Sequence, residues 1–323
     1  MLYPLKFEPI LKRPIWGGNK LKELFGKGPD SEEPIGESWE LSGLPGHESL
    51  VVNGLLAGNT INELLEIYMD ELVGAKVFEQ FGNEFPLLFK FIASSDTLSI
   101  QVHPNDEMAA AHNAMGKTEM WFVIDAEEGS ELILGFNKQM DKESCLAHIE
   151  NNTLETVLNK VKVKKGDVFY IPAGMVHAIG KGILLAEVQQ ASDITYRLYD
   201  YGRVDNNGQA RELHIEEALE AINFDDTFDA KVGYQEKNNT PIPLVSCDYF
   251  TVNLYQLDNP LIKDLSEIDS FVVYMCLDGA CTIKWDAGEL PLCKGETVLV
   301  PAEMREVELF DIDKSLLMEV FVK

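Results

Sequence analysis

Short apolar runs separated by turn residues dominate this chain. Ser49–Asn53, Leu98–His103, Met120–Asp125, Glu131–Gly135, Asp167–Ile171 and Leu184–Gln189 carry Val, Ile, Leu and aromatic residues between Gly, Pro, Asn or Asp. Phe250–Leu254, Phe271–Leu277, Cys281–Trp285, Val298–Val300 and Leu316–Val322 continue the pattern. Runs of this kind read as strands. Many in succession point to barrels or sandwiches, not to a doubly wound parallel sheet. At 323 residues and 46% hydrophobic, the chain suits two compact units with ordinary cores.

Helical patterns are fewer. Ile61–Leu72 follows Thr60, with Glu63 placed for a capping box. Pro104–Met115 reads as a short helix capped by Asn105 or Asp106 and ended by Gly116. Asp141–Asn159 reads as one or two helices broken near Asn151 and Asn152, and His214–Ile222 as another. A helical insertion is therefore expected at about 138–160. Gln235–Pro243, with Asn238, Asn239, Pro241 and Pro243, is the best linker. It divides the chain into an expected domain 1–235 and a second domain 241–323; how the first fifty residues are shared between them is open.

One repeat crosses that linker. Gly166-Asp-Val-Phe-Tyr-Ile-Pro172-Ala-Gly174-Met-Val-His177 has a counterpart in Gly295-Glu-Thr-Val-Leu-Val-Pro301-Ala-Glu303-Met-Arg-Glu306. Each is a turn, a buried strand and a proline-marked exit. The second copy lacks the later glycine and the histidine, as expected of two related units, one active and one degenerate.

A net charge of -27 argues against nucleic acid, which needs a basic face, and against anionic lipid. A phosphorylated substrate would need a local cluster of Lys and Arg to reverse that field. The five cysteines (Cys145, Cys247, Cys276, Cys281, Cys293) form neither CxxC pairs nor a disulfide framework, so reduced thiols are expected. Met1–Trp16 holds no apolar run of signal-peptide length, and the other runs are strand-sized. A soluble, cytoplasmic protein is expected.

The chemistry concentrates in Ser99-Ile-Gln101-Val-His103-Pro104. In a strand, alternation puts Ser99, Gln101 and His103 on one face, with Ile100 and Val102 on the other. A polar triplet facing a core is costly unless something coordinates it. Glu119 opens the apolar run Met120–Ile124, where a carboxylate needs a partner, and His177 closes a third element after Pro172-Ala-Gly174. Any one of the three alone reads more readily as structural: a satisfied strand histidine, a strand-edge charge, a turn cap. Together, ligands from separate strands can hold a divalent metal with open positions for substrate. His47, His112, His148 and His214 have no clustered partner and read as structural.

At these residues the sequence resembles the cupin superfamily and, more closely, the type I mannose-6-phosphate isomerases in their compact bacterial form. Segment 166–177 resembles the second cupin motif, and Gln101-Val-His103 replaces the usual His-x-His, as in that family. Phe85-Pro-Leu-Leu-Phe-Lys90, Lys117-Thr-Glu119-Met-Trp121, Glu187-Val-Gln-Gln-Ala-Ser192-Asp-Ile-Thr-Tyr-Arg197 and Glu37-Ser-Trp39 add to the resemblance. Ile179 departs from it, standing where long members have tyrosine.

The resemblance implies a mainly β fold of two cupin-like jelly-roll barrels with the small helical insertion. It implies one zinc per chain, held by Gln101, His103, Glu119 and His177. Arg197 would lie in the active site, and Lys90, Ser99, Lys117, Glu187 and Glu37 would line the substrate pocket. The implied reaction interconverts mannose 6-phosphate and fructose 6-phosphate. Arg197 is a fixed cation and a poor base, suited to stabilising an enediolate or a phosphate; Lys90 and Lys117 would supply local positive potential. Glu187 or a desolvated lysine could shuttle the proton. Two other readings compete. His103, His177 and Glu119 match the two-His, one-carboxylate set of iron dioxygenases, but Gln101 and the Lys/Arg set argue against it. A non-enzymatic sugar-binding cupin would leave the intact site unexplained.

Overall fold

The computed structural model describes residues 2–29, 33–204, 208–225 and 229–323. Two compact units share the chain: residues 1–10, 39–89 and 232–323 form one, and 11–38 with 90–231 the other. Both are mainly β and cupin-like. Among the described residues the architecture is a cupin-like β-sandwich; no sheet closes into the expected barrel, because the strands at the two ends of each sheet do not pair with each other.

In the unit containing residues 90–231, five strands run in the order Leu158–Lys162, Glu131–Phe136, His177–Ile179, Ile100–Val102, Tyr196–Tyr199. A second layer runs Val168–Ile171, Glu119–Ala126, Ile183–Gln190 and on into Leu87–Ala93. Leu132, Leu134 and Ile179 from the first sheet pack on Trp121, Val123, Phe169, Ile171 and Leu185 from the second. The outer face of the five-stranded sheet is covered differently: Ile100, Val102 and Ala178 pack with Cys145, Leu154, Ala218 and Leu219 of the helical segments.

The helical insertion is helix Lys142–Glu150, capped by Asp141 through the Ser144 amide, then a 3-10 turn at Leu154–Val157. It stops short of 160, since Leu158–Lys162 is already a strand paired with Glu131–Phe136. The helix expected over 104–115 covers only Asp106–Ala110, capped by Asn105; Asn113 beyond it adopts φ 53, which ends helical winding.

The other unit is built on one eight-stranded sheet: six strands run in the order Leu5–Lys6, Thr297–Val300, Val272–Trp285, Glu306–Phe321, Thr251–Leu257, Ile242–Ser246, and off this path Leu261–Asp264 pairs with Glu306–Phe321 and Gly288–Cys293 with Val272–Trp285. Its core includes Tyr255, Tyr274, Ile283, Val298 and Leu309. Helix Ile61–Val73 starts at the expected capping box: the Glu63 amide donates to Thr60 Oγ1 at 3.1 Å and the Thr60 amide to Glu63 Oε2 at 2.7 Å. Ser49–Asn53 forms isolated bridges (Leu50 with Thr60, Val51 with Phe7) in place of the expected strand. The repeat is real in three dimensions. Gly166 and Gly295 take φ 87 and 80 at the turn, and each strand begins two residues later and ends just before the proline.

Candidate active site

Three paired strands set the first row of the site. Gln101 lies opposite His177 on one side and opposite Arg197 on the other. In the second sheet, Glu119 pairs with Gln189 and Trp121 with Glu187. Period-two alternation therefore turns Glu119, Trp121, Glu187 and Gln189 to one face.

His103, Glu119 and His177 meet in the core, each about 1% exposed. His103 Nε2 is 3.2 Å from Glu119 Oε1, and His177 Nε2 is 3.9 Å from Glu119 Oε2. The other ring nitrogens face main-chain carbonyls: His103 Nδ1 donates to Ile194 at 2.9 Å and His177 Nδ1 to Met175 at 2.9 Å. Those bonds fix the tautomers, so both Nε2 atoms present lone pairs toward a carboxylate. Burial, with Lys117 nearby, presses the His103 pKa down to about 3, and burial lowers that of His177. Although burial opposes it, the Lys117 ammonium beside it holds Glu119 well below the usual carboxylate range. His103 Nε2 has no hydrogen-bond donor to satisfy it. A buried set of acceptors pointing at one another fits a cation at its centre, and one ligand atom from each of the three residues lies within 4.8 Å of the others. Gln101 completes the row, with its amide Nε2 3.4 Å from His177 Nε2. Exchanging the two ends of that amide would turn its oxygen to the cluster at no steric cost.

Cations and further carboxylates surround these groups. Lys117 Nζ is 3.2 Å from Glu119 Oε1. Lys90 Nζ is 3.0 Å from Glu187 Oε1, 2.7 Å from Gln189 Oε1 and 3.9 Å from the half-buried Glu37. Burial works against the Lys90 charge, yet Glu187 and Glu37 raise its pKa above the ordinary value and keep it an ammonium. Burial, and then Glu119, raise the pKa of Glu187. Arg197 is half-buried. Its Nε donates to Ser99 Oγ at 3.2 Å and its Nη1 to the Glu212 carbonyl at 2.7 Å, while its main chain pairs with His214. Ser99 Oγ in turn reaches Gln101 Oε1 at 3.2 Å.

All ten residues expected from sequence thus fall in one linked network. Sequence reasoning passed over Trp121, whose indole donates to Glu187 Oε2 at 2.7 Å, and Gln189. Each lies two residues from a flagged carboxylate, so the alternation that exposed Gln101 and His103 would have found them. It also passed over the role of His214 behind Arg197.

The sandwich and its buried acceptor cluster define a metal-site cupin. A family model for the type I phosphomannose isomerase catalytic domain matches residues 5–136, and one for the mannose-6-phosphate isomerase cupin domain matches 241–310. Mannose-6-phosphate isomerase ManA of Bacillus subtilis is 38% identical over 95% of both chains. The Streptococcus mutans mannose-6-phosphate isomerase is 35% identical over 98% of both. The crystal structure of a Bacillus subtilis mannose 6-phosphate isomerase superposes with TM-score 0.89 at 33% identity, over 99% of both chains. This chain belongs to the type I phosphomannose isomerases and is an isomerase.

Proposed function

We propose that this protein interconverts mannose 6-phosphate and fructose 6-phosphate, with one zinc ion held by Gln101, His103, Glu119 and His177. The observation that carries the metal assignment is the acceptor-only cluster: two neutral imidazoles and an ionised carboxylate, buried together. Bound there, zinc would stabilise negative charge developing on the sugar oxygens.

The protein residues divide by charge. Arg197 stays cationic and lies one hydrogen bond from Ser99; it offsets negative charge on the enediolate or on the phosphate. Lys117 and Lys90 give positive potential inside a strongly acidic protein. Ser99, Lys90 and Glu37 line the sugar site and hold the reacting carbons still. Proton transfer between C1 and C2 falls to Glu187. Its pKa is raised, as a carboxylate base working near neutrality requires, whereas the pKa of Lys90 is raised too and makes that lysine a poor base. The sugar phosphate is the partner. The five cysteines are all free, which suits a cytoplasmic protein, and among the described residues no helix is long and apolar enough to cross a membrane.

A coupled assay of mannose 6-phosphate conversion, before and after chelation and zinc add-back, tests this reading. Activity lost with the metal and restored by zinc supports it. A folded, zinc-loaded sample without conversion overturns it.

A further inference from the structure

The two copies of the repeat can be aligned strand by strand. Phe169 pairs with Trp121, and Trp121 with Glu187. In the other unit Val298, which takes the place of Phe169 in the repeat, pairs with Tyr274, and Tyr274 with Glu319. Trp121 therefore corresponds to Tyr274, and Glu187 to Glu319. One step along, Ile171 pairs with Glu119, while Val300 pairs with Val272. The metal carboxylate is thus replaced by valine.

What survives in the degenerate unit is a buried carboxylate held by an aromatic donor and a lysine. Tyr274 Oη donates to Glu319 Oε1 at 2.9 Å, and Lys263 Nζ lies 2.9 Å from the same oxygen. Trp121 and Lys90 hold Glu187 at 2.7 and 3.0 Å. The arrangement does not depend on the ligand carboxylate, since it is present where that carboxylate is missing. In the unit with the ligands, Trp121 also sets its ring edge-on to His177, centroids 5.4 Å apart. One side chain thus touches both a metal ligand and the proton-transfer carboxylate.

We infer that Trp121 is a positioning residue for the isomerisation, aiming Glu187 through its indole N–H. This rests on the isomerase reading above. Removing a hydrogen bond to a charged group should reduce turnover about 10- to 100-fold. The degenerate unit itself supplies the rescue, because a tyrosine at this register reaches the carboxylate.

The test compares wild type, Trp121→Phe and Trp121→Tyr for kcat, KM, bound zinc and thermal midpoint. Trp121→Phe should lose kcat with KM and zinc unchanged, and Trp121→Tyr should recover most of it. Wild-type kcat in Trp121→Phe overturns the inference. So does a folded Trp121→Tyr no better than Trp121→Phe, or loss of zinc together with kcat, which would place the role at His177. If Trp121→Phe does not fold, Trp121→Tyr decides alone: kcat close to wild type supports the inference, and a loss of about tenfold or more with zinc bound overturns it. An inactive wild type overturns the isomerase reading, and this inference with it.

Discussion

Replacing Lys90 by methionine probes the buried charges directly. Lys90 and Glu187 are 3.0 Å apart, and their side chains are 6% and 4% exposed, so water screens them little. At an effective dielectric of about 20, such a pair attracts by about 5 kcal/mol, much of it cancelled by the cost of taking both ions out of water. The net worth of the pair is small, but breaking it is costly. Lys90→Met leaves Glu187 buried beside the Glu119 charge without its cation, and should destabilise by about 3–5 kcal/mol. Glu187→Gln should cost less, because Lys90 keeps Gln189 at 2.7 Å and Glu37 at 3.9 Å. The double variant removes both charges and should regain about half of the Lys90→Met loss. Urea unfolding of the zinc-loaded proteins measures all four. A Lys90→Met protein within about 0.5 kcal/mol of wild type, or losses that simply add, would refute the argument.

Three further outcomes are expected. Arg197→Ala should abolish most turnover while zinc content stays at the wild-type level; loss of zinc would make its role structural. Metal-free protein should lose stability as pH falls from 6.5 toward 3. Across that range the unfolded chain protonates His103 and the folded one does not, its pKa being about 3. Lowered Glu119 acts in the same direction below pH 4.5, and raised Glu187 opposes it, since the folded state favours that proton. A thermal midpoint that stays flat between pH 7 and 4 would contradict this. Thr60→Ala should cost about 1 kcal/mol by urea unfolding, with Thr60→Ser near wild type; equal stability of all three would mean the capping box contributes nothing.

The buried polar cluster was legible because polar residues at alternate positions in apolar strands have few explanations. Gln101, His103, Glu119 and His177 each interrupt a pattern that Val, Ile and Leu otherwise fill. Trp121 and Gln189 were harder to see. An aromatic inside an apolar run looks like core, and Trp121 is core, but its one polar atom carries a bond visible only once Glu187 is placed opposite. The reach of the N-terminus was not legible either. Leu5–Lys6 pairs with Thr297–Val300 almost three hundred residues away, and no local pattern encodes that. The same holds for the helix that stops at Ala110, where a backbone turn at Asn113 overrides an alanine-rich stretch.

The pairing of Gln101 with both His177 and Arg197 has a consequence for how such a chain can change length. Strand residues obey a parity rule. Adding one residue inside Ile100–Val102 would turn Gln101 away and bring an isoleucine or valine to the His103–Glu119–His177 cluster, and nothing in a three-residue strand can absorb the shift. Adding two would keep the face but slide the side chain by about 6.6 Å, well past its neighbours. Turns outside the strands carry no such parity. A library of single-residue insertions read out by activity should therefore show forbidden windows at the strands of the site, 99–103, 119–121, 177–179 and 187–189, and tolerance in the turns between strands.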